Sequence, residues 1–216
     1  MVTNRSIDRV IRILKREVRQ WQEPVVGRYR TDPFTTLISC LLSLRTKDAV
    51  TRAASERLFR LARTPQAMRR LSPRAIERAI YPAAFYRVKA KTILGVCRDL
   101  LERFNGRVPP DLDTLLTLNG VGRKTANLVV TLAFDRPGIC VDTHVHRISN
   151  RWGYVRTKTP EQTEMALRRI LPARHWKIYN DLLVAFGQNL CHPTSPWCSR
   201  CPLSRVCARR GVRHSR

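Results

Sequence analysis

Apolar residues recur at three- and four-residue steps through most of this chain, the spacing of helices that bury one face. Ile7, Val10, Ile11, Leu14, Val18 and Trp21 make one such stripe, and Ile93, Val96, Leu100, Leu101 and Phe104 make another. Alternating strand patterns are absent or too short to define an element. Gly95 falls inside the second stripe and costs it about 1 kcal/mol against alanine without overturning it.

Helix starts are punctuated by a capping residue followed by proline, at Asp32-Pro33, Thr64-Pro65, Ser72-Pro73 and Thr159-Pro160. There the missing proline amide costs nothing, because first-turn amides have no intrahelical partner. Thr159 and Gln162 fit a capping box, and Asn105-Gly106 ends the helix that carries Phe104. The pattern predicts helices near 6–21, 33–44, 47–62, 66–70, 73–80, 87–104, 111–117, 122–134, 143–152, 160–170 and 175–189, an all-α fold. Turn residues at Asp135-Arg136-Pro137-Gly138 predict a hinge, and beyond Cys191 the chain is too rich in Cys, Pro and Arg for a long helix.

Charge narrows the choice of partner. With 41 Lys and Arg against 16 Asp and Glu, the net charge is +25 on 216 residues. A polyanion is the expected partner, and binding to DNA or RNA by counterion release would weaken steeply with salt. No apolar run approaches the roughly 20 residues needed to span a bilayer, and Met1 to Asp8 lacks a secretory apolar segment. An intracellular protein is expected, with no membrane partner. At 43% hydrophobic residues and 9 glycines, the chain can bury one or two cores.

Leu118-Asn-Gly-Val-Gly-Arg-Lys-Thr-Ala126 sets two glycines, Gly120 and Gly122, ahead of an apolar helix. Glycine permits positive-φ or close-approach backbone, and the amides that follow lie at a helix N-terminus, where an anion can bind. Lys124 would sit beside that anion, either as a solvated phosphate-binding lysine or as a nucleophile. Downstream, Val141-Asp-Thr-His-Val-His-Arg147 opens another helix, with Asp142 as its N-terminal cap or as a working carboxylate. His144 and His146 are better explained by hydrogen bonds at helix entry than by metal.

The 7 cysteines divide into two groups. Cys40, Cys97 and Cys140 lie in apolar surroundings and read as core. Cys191, Cys198, Cys201 and Cys207 form C-x6-C-x2-C-x5-C. Four thiolates on a short loop suit one tetrahedral zinc or one iron–sulfur cubane, and spacing alone does not separate the two.

The glycine turn, the Val-Asp-Thr-His-Val-His-Arg segment and the cysteine loop, in this order, resemble the endonuclease III family of helix-hairpin-helix DNA glycosylases. The resemblance extends to Leu41-Leu42-Ser43, Thr46-Lys47-Asp48 and Phe85-Tyr86-Arg87-Val88-Lys89-Ala90, so it spans nearly the whole chain. It implies two helical domains, 26–136 with the hairpin and 1–25 joined to 137–216 with the cluster loop 191–207, and DNA bound in the cleft between them. It implies a 4Fe-4S cluster on the four clustered cysteines, and Lys124 and Asp142 as the catalytic pair. The implied activity is bifunctional: excision of damaged, oxidised pyrimidines from duplex DNA, followed by lyase cleavage at the abasic site.

A base inside a duplex is out of reach of both groups, so it must be flipped out and the gap filled. Arg45 and Phe85 match the family positions for gap-filler and wedge. The family commonly has glutamine where this chain has Arg45, and a guanidinium can donate two bonds to guanine, so guanine opposite the lesion is the expected preference. Gly120, Val121 and Gly122 are expected to offer amides to DNA phosphates, and Arg123, Thr125, His144 and Arg147 to offer side chains. An attacking lysine must be neutral. At pH 7 an ordinary lysine is so about once in a few thousand molecules, and a pKa near 7 would recover roughly 4 to 5 kcal/mol.

Two other functions fit part of the pattern. One is a mismatch-specific glycosylase; such relatives lack the lysine. The other is a non-catalytic, redox-sensing DNA-binding protein, which has no chemical need for Lys124 together with Asp142. A monomer acting in the cytoplasm on nucleoid DNA is expected.

Overall fold

The computed structural model describes residues 1–21 and 32–216. Among these the regular elements are helices: α1 (Ile7–Glu17), α2 (Pro33–Ser43), α3 (Asp48–Leu61), α4 (Pro65–Arg69), α5 (Pro73–Ile80) and α6 (Tyr86–Phe104). They continue as α7 (Leu112–Leu116), α8 (Arg123–Ala133), α9 (Thr143–Arg151), α10 (Pro160–Ile170) and α11 (Trp176–Asn189). The all-α reading holds. None of these helices is long and apolar enough to cross a membrane.

All four predicted cap-proline starts form. Asp32 accepts from the amides of Phe34 and Thr35, Thr64 from Ala67, Ser72 from Ala75 and Thr159 from Gln162. The capping box at Thr159 is half made, because the Gln162 side chain reaches Lys158 N at 2.9 Å rather than the cap's own amide. Asn105 and Gly106 end α6 at φ 50° and 73°, the left-handed close of a helix. The helix expected over 6–21 is shorter: α1 stops at Glu17 and tightens into a 3-10 turn over Val18–Gln20.

The chain divides into two compact units, Met1–Pro24 with Pro137–Arg216, and Val25–Arg136. The crossing expected between residues 25 and 26 lies outside the described residues. In the unit Val25–Arg136, α2 packs on α3 and α8, while α6 packs on α4 and α5. Leu37, Ile38, Leu58, Ile76, Ile93, Val96, Leu115 and Val129 are buried there. In the other unit α9 packs on α11 and α10, around Ile7, Leu14, Ile148, Trp152, Tyr179 and Phe186. Each unit thus presents a loop or a helix start from a packed support.

Candidate active site

The two-glycine turn joins α7 to α8. Asp111 caps α7 by accepting from Thr114 N at 2.8 Å, and buried Leu118 and Val121 pin the turn that follows. Gly120 has φ 75°, and a Cβ there would stand 2.5 Å from Thr92 Cγ2 on α6, so both conformation and close approach require glycine. Gly95 gives α6 its own close approach to the turn, since a Cβ would lie 3.2 Å from Asn119 Nδ2. A helix position that lowers propensity therefore lets α6 seat the hairpin.

Gly122 behaves differently: at φ −89° it needs no left-handed backbone, and among the described residues nothing outside its own stretch of chain lies within 4 Å of where a Cβ would stand. It stands at the N-cap of α8 and supplies no capping side chain. Two of the residues expected to contact DNA have partners within their own unit. The amide of Val121 is already bonded to Leu118 O at 3.1 Å, which closes the turn. The side chain of Thr125 is 1% exposed, because it falls on the core face of α8. Arg123 and Lys124 are half-buried on the first turn. Buried Cys40, on α2, feels the Lys124 charge; burial pushes its thiol up to about 12, and the lysine pulls the other way.

In the other unit Asp142 does cap α9. Its Oδ1 accepts from His144 N at 2.8 Å and from Val145 N at 2.9 Å, so the carboxylate is fixed by the helix it starts. Half-buried Arg147 donates from Nη2 to Cys191 O at 2.9 Å and lies 3.1 Å from His144 Nδ1. Burial lowers the Arg147 pKa, while the charges of Cys191 and Asp142 oppose that shift. Gly187 makes room for this cluster, because a Cβ would meet His144 Nδ1 at 2.3 Å. His146 Nδ1 pairs with Thr163 Oγ1 at 2.7 Å, a hydrogen bond from α9 to α10 rather than one at helix entry.

Arg45 follows α2, and Phe85 precedes α6. Both are exposed, Phe85 at 58%, which removes it from the core. The sequence pointed to no role for Lys89, which the structure ties to the segment around Arg45. It is buried on α6 and donates to Leu42 O, Leu44 O and Thr46 Oγ1 at 2.6, 2.8 and 2.7 Å. Its spacing was a usable signal, since position 89 extends the apolar stripe of Ile93, Val96 and Leu100 by one helical step.

Cys191, Cys198, Cys201 and Cys207 line one pocket with Arg151, Trp197 and Arg209. Among the described residues no three His, Cys, Asp or Glu side chains are grouped to hold a single metal ion. Cys40, Cys97 and Cys140 are buried core, as read from their surroundings. Arg151 Nη1 donates to Cys191 Sγ at 3.2 Å, and Arg209 N to Cys207 Sγ at 3.3 Å. Arg151 is 5% exposed, its Nε is buried without a partner, and no carboxylate lines the pocket. The guanidinium also donates to His192 O and Pro193 O, at 2.8 and 3.1 Å, and anionic sulfur beside it would offset its charge. Burial, together with the charges of Cys191, Cys207 and Cys198, pushes the Cys201 thiol up to about 11, and a bound metal centre would favour the thiolate instead. The residues fit a thiolate-bound group.

An uncapped glycine hairpin on an all-helical frame, beside a strongly basic composition, defines a helix-hairpin-helix protein of nucleic-acid chemistry. A family model described as HhH-GPD superfamily base excision DNA repair protein matches residues 38–173. The chain belongs to that family. It is 48% identical to endonuclease III of Thermotoga maritima over 82% of this chain and 83% of that protein. It is 43% identical over 81% of its length to the chloroplastic endonuclease III homolog 1 of Arabidopsis thaliana, of which it spans 48%. Among solved structures, a trapped endonuclease III–DNA covalent intermediate, an estranged-adenine complex, matches with TM-score 0.87 at 36% identity, covering 97% of each chain.

Proposed function

We propose that this base excision repair protein is a bifunctional DNA glycosylase and AP lyase that removes oxidised pyrimidines from duplex DNA. The carrying observation is the hairpin: Gly122 leaves open space at the start of α8, and Lys124 stands two residues on, on a helix whose other face is buried. A phosphate seated on the Gly120 and Gly122 side of the turn would bring C1′ of the flipped nucleotide toward that amine. Arg123, His144 and Arg147 serve as further backbone contacts, and Arg45 and Phe85 occupy the gap as filler and wedge.

Neutral Lys124 attacks C1′ through Nζ, and the bond from C1′ to the base breaks with its electrons leaving on the base. Asp142 offsets the positive charge that builds on the sugar and takes the proton the amine releases. The ring then opens to an imine between Lys124 and C1′, which acidifies C2′. Loss of a C2′ proton expels the 3′ phosphate by β-elimination, and water later frees Lys124. Every atom required is supplied by Lys124, Asp142, DNA and water.

Cys191, Cys198, Cys201 and Cys207 would hold a 4Fe-4S cluster, whose negative charge would neutralise Arg151 and cross-link the C-terminal loop. We assign the hairpin to a domain over 26–136 and the cluster loop to 1–25 with 137–216. The protein acts as a monomer where its substrate lies, on DNA in the cytoplasm. Borohydride reduction tests the reading: wild type should become covalently linked to abasic duplex, and Lys124→Ala should not. Absence of a wild-type adduct, or full trapping by Lys124→Ala, would overturn it.

A further inference from the structure

Lys89 is 7% exposed, and all three of its acceptors belong to the segment around Arg45. Three ammonium protons meet three oxygens, none of them charged. Thr46 Oγ1 also accepts from Ala84 N at 3.1 Å, next to Phe85. One buried cation and one hydroxyl therefore tie the end of α2, the Arg45 loop and the turn before α6 into a single node.

That arrangement is costly. Burial without a carboxylate disfavours the ammonium and pulls its pKa down to about 8. A methionine would fill similar space without the desolvation. What the ammonium provides is three directed bonds, two to backbone oxygens just before Arg45 and one to the Thr46 hydroxyl just after it, and through that hydroxyl a link to the residue before Phe85; Arg45 has φ 54° and Phe85 φ 57°. Left-handed backbone is unfavourable for a non-glycine residue and persists only where the surroundings over-determine it.

We propose that Lys89 is a positioning residue for the opposite-strand contact, holding the Arg45 loop and the Phe85 turn in register so that guanidinium and ring enter DNA as one unit. This rests on the gap-filler and wedge reading given above. Lys89 touches no DNA in this scheme; its effect passes through Arg45 and Phe85.

The test uses two substrates and two variants. The first substrate is a duplex with a stable abasic analogue opposite 2-aminopurine, whose fluorescence reports entry into the gap. The second is single-stranded abasic DNA, on which borohydride trapping needs Lys124 but no gap filling. Lys89→Met and Thr46→Val should each weaken the 2-aminopurine response to the duplex by about tenfold in apparent affinity, with single-strand trapping changed by less than about twofold. An unchanged duplex response, or equal loss on both substrates, would overturn the proposal. If Lys89→Met does not fold, Thr46→Val decides alone by the same criteria. Arg45→Ala separates the two levels: if it leaves the 2-aminopurine response at the wild-type level, Arg45 fills no gap and the role of Lys89 falls with it. Loss of trapping by wild type would instead count against the lysine mechanism.

Discussion

The guanidinium of Arg45 lies over the ring of Phe85, with Cζ 5.0 Å from the ring centroid, although 40 residues separate them in the chain. Both side chains project from left-handed backbone on exposed turns. An exposed cation–π contact is worth about 0.5–1 kcal/mol, so the pair is a weak clasp that DNA can open. Arg45→Gln should leave the melting temperature nearly unchanged and cut the preference for guanine opposite the lesion by about tenfold, as expected for losing one bidentate base contact. Cleavage rates against all four opposite bases check this; equal rates in wild type would remove the basis for the preference.

Asp142 carries two duties that substitution can separate. Asparagine caps helices as well as aspartate, so Asp142→Asn should retain stability within about 0.5 kcal/mol, whereas Asp142→Ala should lose about 1 kcal/mol. Both should slow base excision by at least about a hundredfold, because neither accepts a proton nor carries charge. Thermal melting beside single-turnover excision distinguishes the cap from the carboxylate.

Gly120 and Gly122 should respond in opposite ways. Gly120→Ala forces a Cβ to within 2.5 Å of Thr92 Cγ2 at φ 75°, and roughly 2 kcal/mol of stability should be lost. Gly122→Ala meets open space at φ −89°, so the fold should hold within about 0.5 kcal/mol while affinity for duplex DNA falls. Denaturant unfolding and a salt series of DNA affinities give the two readouts.

The four-cysteine loop should make the purified protein brown, with broad visible absorption and both iron and acid-labile sulfide on analysis. Cys201→Ser should lose that absorption. Arg151→Met should reduce it and lower the melting temperature, since it removes the buried cation beside Cys191. A colourless protein containing stoichiometric zinc would replace the cluster with a single ion.

Lys89 gives stability an alkaline signature. Its folded pKa, about 8, lies below the unfolded 10.5, so between those values the unfolded chain binds more protons. The cost of burying the charge is present in full below about pH 8 and lifts as pH rises toward 10.5. Wild type should therefore gain stability relative to Lys89→Met between those limits. Parallel melts across that range would show a growing difference, and a constant one would refute it.

Much of this protein is determined locally and is legible in its sequence. The cap-proline pairs fix helix starts because Asp32, Thr64, Ser72 and Thr159 bond amides only two or three residues away. The apolar stripes fix which faces are buried, and the cysteine spacing fixes which four thiols share a pocket. Tertiary structure decided what depends on partners distant in the chain. It placed Thr125 in the core and used the Val121 amide within the turn. It made Gly95 a seat for Asn119 and turned Lys89 from one charge among many into the node behind Arg45 and Phe85. Hydrogen bonds within one helical turn follow from order along the chain, whereas the acceptors of a buried charge exist only once distant segments have packed around it.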